Sequence, residues 1–111
     1  KAQLNLGVYL AQSGKLSEAI THVTKATALD PSYIEAWITA AQIYSAQGNS
    51  SEALAKASRA SDLDGENADA LFIRTASLVQ LGRINEAQAL YPQLRALSPA
   101  KADSLRASLG R

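Results

Sequence analysis

The chain has 111 residues, 47% of them hydrophobic and 19% charged, the balance of a chain that folds and not of a disordered one. Eleven Lys and Arg against ten Asp and Glu leave a net charge of +1, so no strong basic field exists to hold nucleic acid or an anionic membrane. With no Cys and one His, disulfides, thiolate nucleophiles, cysteine zinc sites and multi-histidine metal sites are excluded.

Helices follow one another along the chain. Leu6, Tyr9 and Leu10 fall in steps of three and one, and predict a helix at about 2–13. Gly14 interrupts the pattern and can take the left-handed conformation that closes a helix. Ser17 then offers a cap, and Glu18 places a negative charge in the first turn of a second helix at about 17–29. Asp30-Pro31 breaks it. Gly48, Ser51 and Glu52 replay the same stop, cap and acid between helices at about 33–47 and 51–63, and Asp64-Gly65 ends that pair. Gly82, Asn85 and Glu86 do so again between helices at about 67–81 and 85–97. Pro92 falls inside the sixth helix, removes one backbone hydrogen bond and is expected to kink it near Gln88–Tyr91. Ser98 caps a seventh helix, about 99–109, with Pro99 at its first position.

The recurrence has a fixed period. Gly14, Gly48 and Gly82 stand 34 residues apart, and so do Glu18, Glu52 and Glu86. Ala2, Ala36 and Ala70 keep the spacing, as do Ala19, Ala53 and Ala87, and Leu29, Leu63 and Leu97. Self-similarity at such a period marks a stack of supersecondary units. One helical hairpin cannot bury its apolar face, whereas a row of them builds a continuous core. The whole chain, 1–111, reads as a single domain. Its units lie at about 1–33, 34–67 and 68–101, with a capping or truncated terminal helix at about 99–109.

The residues resemble the tetratricopeptide repeat (TPR) family over essentially the whole chain. Leu6-Gly7 matches the family's Leu-Gly of the first helix, and Trp37 and Tyr44 its aromatic pair. Ala19, Ala53 and Ala87 match the small residue of the second helix, and Pro31 and Pro99 the closing Pro. The resemblance implies an all-α fold, an alpha-alpha superhelix or TPR solenoid of antiparallel hairpins with about seven helices. Two units depart from the pattern: Leu6-Gly7 becomes Ala40-Ala41 and then Arg74-Thr75. Arg74, at a position normally apolar, either snorkels to solvent along its stem or marks an altered third unit.

A search for chemistry yields little. His22 has no spaced Asp, Ser or second His to complete a relay and reads as a solvated surface residue. No Gly-x-Ser-x-Gly elbow or glycine-rich phosphate loop occurs. Asp62, Asp64, Glu66 and Asp69 form the densest acidic patch, but their spacing matches no calcium loop. Lys56 and Arg59 read as solubility charges. The expectation is therefore a non-catalytic chain with no cofactor and no metal.

The resemblance implies instead a concave face lined by the first helix of each unit. Carried over column by column, that face would contain Leu4, Asn5, Val8 and Gln12 in unit one. Glu35, Ile38, Thr39, Gln42 and Ser45 would follow in unit two, then Asp69, Phe72, Ile73, Ala76, Val79 and Gln80 in unit three. Its middle is apolar, as an interaction site often is. A protein or peptide partner is the expectation, with neither nucleic acid nor direct membrane insertion. Family members that bind chaperone tails hold a carboxylate with basic residues; the matching positions here are Leu4, Val8, Thr39, Asp69 and Ile73, and none is basic. A second reading stays open, in which the chain is a spacer within a longer solenoid or self-associates through its open ends. The chain starts at Lys1 without a signal-peptide core and has no run near the roughly 20 apolar residues of a membrane span, so it reads as a soluble excised piece, compatible with cytoplasm or periplasm.

Overall fold

The structure is a computed structural model and describes residues 2–107, with side chains from Leu4 onward; positions 108 and 109 of the expected last helix lie outside the described residues. Among the described residues the chain forms helices and no strand. In order they are α1 (Ala2–Gln12), α2 (Leu16–Leu29), α3 (Ile34–Ala46), α4 (Ser50–Leu63), α5 (Ala68–Gln80), α6 (Ile84–Leu97) and α7 (Pro99–Arg106).

The three glycine stops share one geometry. Gly14, Gly48 and Gly82 have φ of 84°, 77° and 78°, a region that a side chain disfavours. In each case the next N–H reaches back to the helix it has just left: Lys15 to the Leu10 carbonyl (2.8 Å), Asn49 to Tyr44 (2.9 Å) and Arg83 to Leu78 (2.8 Å). The glycine N–H donates one residue further on, to Ala11, Ser45 and Val79. This is the Schellman closure, and it satisfies carbonyls that the helix end would otherwise leave unpaired.

The tightness of that turn moves the helix starts forward. The carbonyls of Lys15, Asn49 and Arg83 already accept the first helical bonds, from Ala19, Ala53 and Ala87. Those residues, not Ser17, Ser51 and Asn85, are the N-caps. Only Asn49 of the three uses its side chain, whose Oδ1 accepts from the Glu52 N–H at 3.3 Å. The expected cap at Ser98 is present, its Oγ accepting from the Lys101 N–H at 3.4 Å. Helix α6 runs unbroken through Pro92. The fully buried Ala87 and Leu94 anchor it on either side of the proline.

The alanine columns set the packing. Ala19, Ala53 and Ala87 are completely buried, as are Ala57, Ala60 and Val23. With so little side chain at the contacts, helix backbones approach closely and the larger residues interdigitate around them. Three core clusters run in series: Leu4, Leu10 and Val23 with Ala40 and Ile43; Ile38 and Ile73 with Ala53, Ala57 and Ala70; and Leu71, Leu78 and Leu94 with Ala102 and Leu105. Each joins one hairpin to the next helix.

The curvature follows from which helices touch. Helices α1, α3, α5 and α7 contact one another in succession, whereas no two of α2, α4 and α6 meet. The first helix of each hairpin therefore lies on the inside of the bend and the second on the outside. The stack measures 41 × 24 × 21 Å.

Candidate functional site

The inner face carries two cavities that meet at one residue. The first, about 290 Å³, lies between α1 and α3 and is lined by Val8, Ala11, Gln12, Thr39, Gln42, Ile43 and Ala46, with Leu16 at its edge. The second, about 280 Å³, lies between α3, α5 and α7 and is lined by Gln42, Ser45, Asp69, Phe72, Ile73 and Lys101. Gln42, exposed on α3, belongs to both and makes them one groove.

The structure distributes the expected groove residues unevenly. Val8, Gln12, Thr39 and Gln42 come together in the first cavity, and Gln42, Phe72 and Ile73 in the second. Leu4, Ile38 and Ile73 are only 6%, 9% and 7% exposed and belong chiefly to the core, because the next hairpin closes over them. Val79 packs half-buried against the third core cluster. Asn5 and Glu35 are exposed and line neither cavity. The open surface is thus less greasy than the column pattern implies: its apolar content comes from Val8, Ala11 and Phe72, with amides at Gln12 and Gln42.

Lys101 was not among the expected residues. Its Nζ lies 3.0 Å from Asp69 Oδ1 and 5.6 Å from the centre of the Phe72 ring, so it bridges α7 to α5 across the end of the groove. Its columns in the earlier units are Tyr33 and Asn67, at or before helix starts, so repeat spacing gave no signal for it. Beside it Arg106 pairs with Asp103, and the Tyr91 hydroxyl, followed by Asp103, raises the guanidinium above its ordinary value.

The outer face holds the remaining charge clusters. Lys56 and Arg59 do more than solubilise: Lys56 Nζ sits 6.0 Å from the Trp37 ring centre and 5.9 Å from that of Tyr44, and Arg59 lies 5.5 Å from Trp37. Trp37 Nε1–H in turn donates to the Pro31 carbonyl at 2.8 Å. Arg74 is half-buried and lines a cavity of about 230 Å³ with Arg83, Glu86, Leu54 and Leu90. Its stem lies along apolar residues and its charge near Glu86, which resolves how an arginine occupies that column. Among the described residues no group of three His, Cys, Asp or Glu is placed to hold a metal ion, and no helix is long and apolar enough to cross a membrane.

A row of antiparallel helix pairs, inner helices in contact and outer helices apart, defines an α-solenoid of helical hairpins. Residues 10–68 match the family model for the tetratricopeptide repeat. The chain belongs to the tetratricopeptide repeat family. It is 29% identical over 93 residues to human Superkiller complex protein 3, a match covering 84% of this chain but spanning only 6% of the length of that curated relative. Among solved structures it resembles the first TPR of Spaghetti (RPAP3) bound to the HSP90 peptide SRMEEVD, with a TM-score of 0.92 and 22% identity over 98% of this chain and 88% of that one. It also resembles the second TPR domain of human RPAP3 in complex with the HSP70 peptide SGPTIEEVD, with a TM-score of 0.91 and 23% identity over 98% and 92%. The TPR2AB-domain:pHSP90 complex of yeast Sti1 gives a TM-score of 0.91 at 14% identity, over 99% of this chain and 46% of that one.

Proposed function

We propose that this chain is a non-catalytic interaction module whose inner groove takes a segment of a partner polypeptide. The observation that carries the reading is the pair of open cavities joined at Gln42. Each accepts an apolar side chain, and the amides of Gln12 and Gln42 stand where they can bond an incoming backbone. That similar structures are bound to peptides supports a peptide segment as the occupant. On this reading Leu4, Ile38 and Ile73 form the floor, Val8, Thr39, Gln42 and Phe72 the walls, and Asn5, Glu35 and Val79 the margins. The units at about 1–33, 34–67 and 68–101, with the terminal helix at about 99–109, are the repeats that build it.

Gln42→Glu places charge on the exposed groove wall, and Val8→Glu does so at a half-buried position beside the first core cluster, so both disturb packing less than Ile38→Glu. Both variants should keep wild-type helicity by circular dichroism and lose capture of a groove-binding peptide. Undiminished capture by both variants would refute the groove.

A second reading, end-to-end stacking, is favoured by one observation. Leu6 and Tyr9 are 43% and 65% exposed on α1, whereas Ala40 and Ile43, their counterparts 34 residues on, are covered by the preceding hairpin. A further hairpin or a second copy would cover Leu6 and Tyr9 in the same way. Sedimentation should then show association that Tyr9→Lys abolishes; a monomer at all concentrations would exclude the self-associating form.

A further inference from the structure

We infer that the cavity between α4, α5 and α6 is a binding site for a small monocarboxylate, a molecule with an apolar body and one negative charge. The site is separate from the groove and does not rest on the groove reading. Arg74 and Leu78 line this cavity, whereas Asp69, Phe72 and Ile73 line the inner one. At about 3.6 residues per turn the two sets stand half a turn apart on α5, so the helix turns one face to each cavity.

The charges lining this cavity do not cancel. Arg83 donates to both oxygens of Glu86, at 2.6 and 2.8 Å. Arg74 is half-buried, and its guanidinium makes no ion pair among the described residues. Two guanidinium groups therefore share one carboxylate, which leaves one positive charge over. The columns of Arg74 in the earlier units hold Leu6 and Ala40, so the helix stack needs no cation at that position. On the α4 wall the half-buried Ser58 has no side-chain hydrogen bond among the described residues.

Together these features select the ligand. An uncompensated charge between low-dielectric walls attracts a charge of the other sign. A guanidinium offers a planar fork of N–H groups that matches the two oxygens of a carboxylate. The Ser58 hydroxyl adds a further donor. Leu54, Ala89 and Leu90 supply apolar wall for the rest of the molecule. The volume of about 230 Å³ lies below the roughly 300–1,000 Å³ of drug-sized pockets, so that body is small. Glu86 repels a second negative charge and so disfavours a phosphate dianion.

The test is an NMR titration of the intact chain with benzoate, hexylamine and inorganic phosphate. Benzoate should shift the Arg74 amide and the Leu90 methyl signals saturably; hexylamine should leave them in place, and phosphate should bind more weakly than benzoate. Arg74→Gln should weaken benzoate by about tenfold or more, the worth of a hydrogen bond to a charged group. Glu86→Gln should tighten it, because the competing carboxylate is gone and Arg83 is released. Ser58→Ala, about two- to tenfold weaker, carries the test if Arg74→Gln loses helicity by circular dichroism. Absence of a saturable benzoate shift, equal shifts with hexylamine, tighter binding of phosphate, or undiminished binding by a folded Arg74→Gln would each overturn the site.

Discussion

Lys101 reaches from α7 to Asp69 on α5, a 3.0 Å ion pair laid over the face of Phe72. It ties the last helix to the inner face of the third hairpin and closes one end of the groove. Both partners are well exposed, at 38% and 57% of their side chains.

Exposure limits what the pair contributes to stability. Exposed ion pairs are worth roughly 0.2–1 kcal/mol, and an exposed cation–π contact about 0.5–1 kcal/mol. Lys101→Ala should therefore lower stability by no more than about 1–2 kcal/mol, read as a small shift in thermal unfolding. It should also uncover the Phe72 ring. A loss of more than about 3 kcal/mol would mean that α7 depends on this contact far more than its exposure allows.

Gly7 meets the opposing helix more closely than any side chain permits. A Cβ there would overlap Val23 Cγ2 and lie 3.2 Å from the Ala19 carbonyl oxygen. Val23 is fully buried and cannot swing away. Gly7→Ala should cost about 1–3 kcal/mol through overpacking. Adding Val23→Ala makes room, so the double variant should lose less than the sum of the single losses. Additive losses in chemical denaturation would show that the clash is with the Ala19 backbone instead.

Gly48 has open space around it, nothing lying within 4 Å of an added Cβ, yet its φ is 77°. Gly48→Ala should thus cost about 1–2 kcal/mol from backbone strain alone. Gly65→Ala, whose nearest neighbour would be 3.8 Å away and whose φ is not left-handed, is the control and should be nearly neutral. Equal denaturation midpoints for the two variants would contradict the strain.

Arg83 grips Glu86 with two bonds, Nε to Oε2 at 2.6 Å and Nη2 to Oε1 at 2.8 Å. The hydrogen bonds from Arg83 hold the Glu86 carboxyl below the usual carboxylate range. A depressed folded value means the pair favours folding above the ordinary carboxylate range, and this contribution disappears as pH falls through the depressed value. In Arg83→Gln, NMR titration should show Glu86 taking up its proton at higher pH than in wild type. An unchanged midpoint would assign the shift to Arg74, which also lies near Glu86.

Much of the fold was legible in the residues because its causes are local. The left-handed glycines end helices wherever they occur, and the apolar period of each stretch depends only on its own residues. The fully buried Ala19, Ala53 and Ala87 could be located from spacing alone, since identical units stack identically. The caps were misplaced by two residues because the Schellman turn consumes the N–H of the residue after each glycine, and its carbonyl then starts the next helix at once.

The groove needed the tertiary structure. Column position tells which face of a helix a residue occupies, and so put Leu4, Ile38 and Ile73 beside Val8 and Phe72. Depth on that face depends on how closely the next hairpin approaches, and that approach sinks the first three into the core while leaving the others open. Lys101 depended on it entirely, for α7 breaks the spacing of the earlier units and brings a cation to Asp69 from outside the repeat. The amino-acid sequence determined the stack because a repeat is a property of the chain. The shape and charge of the groove arise between units, where the distance of one backbone from another decides what stays exposed.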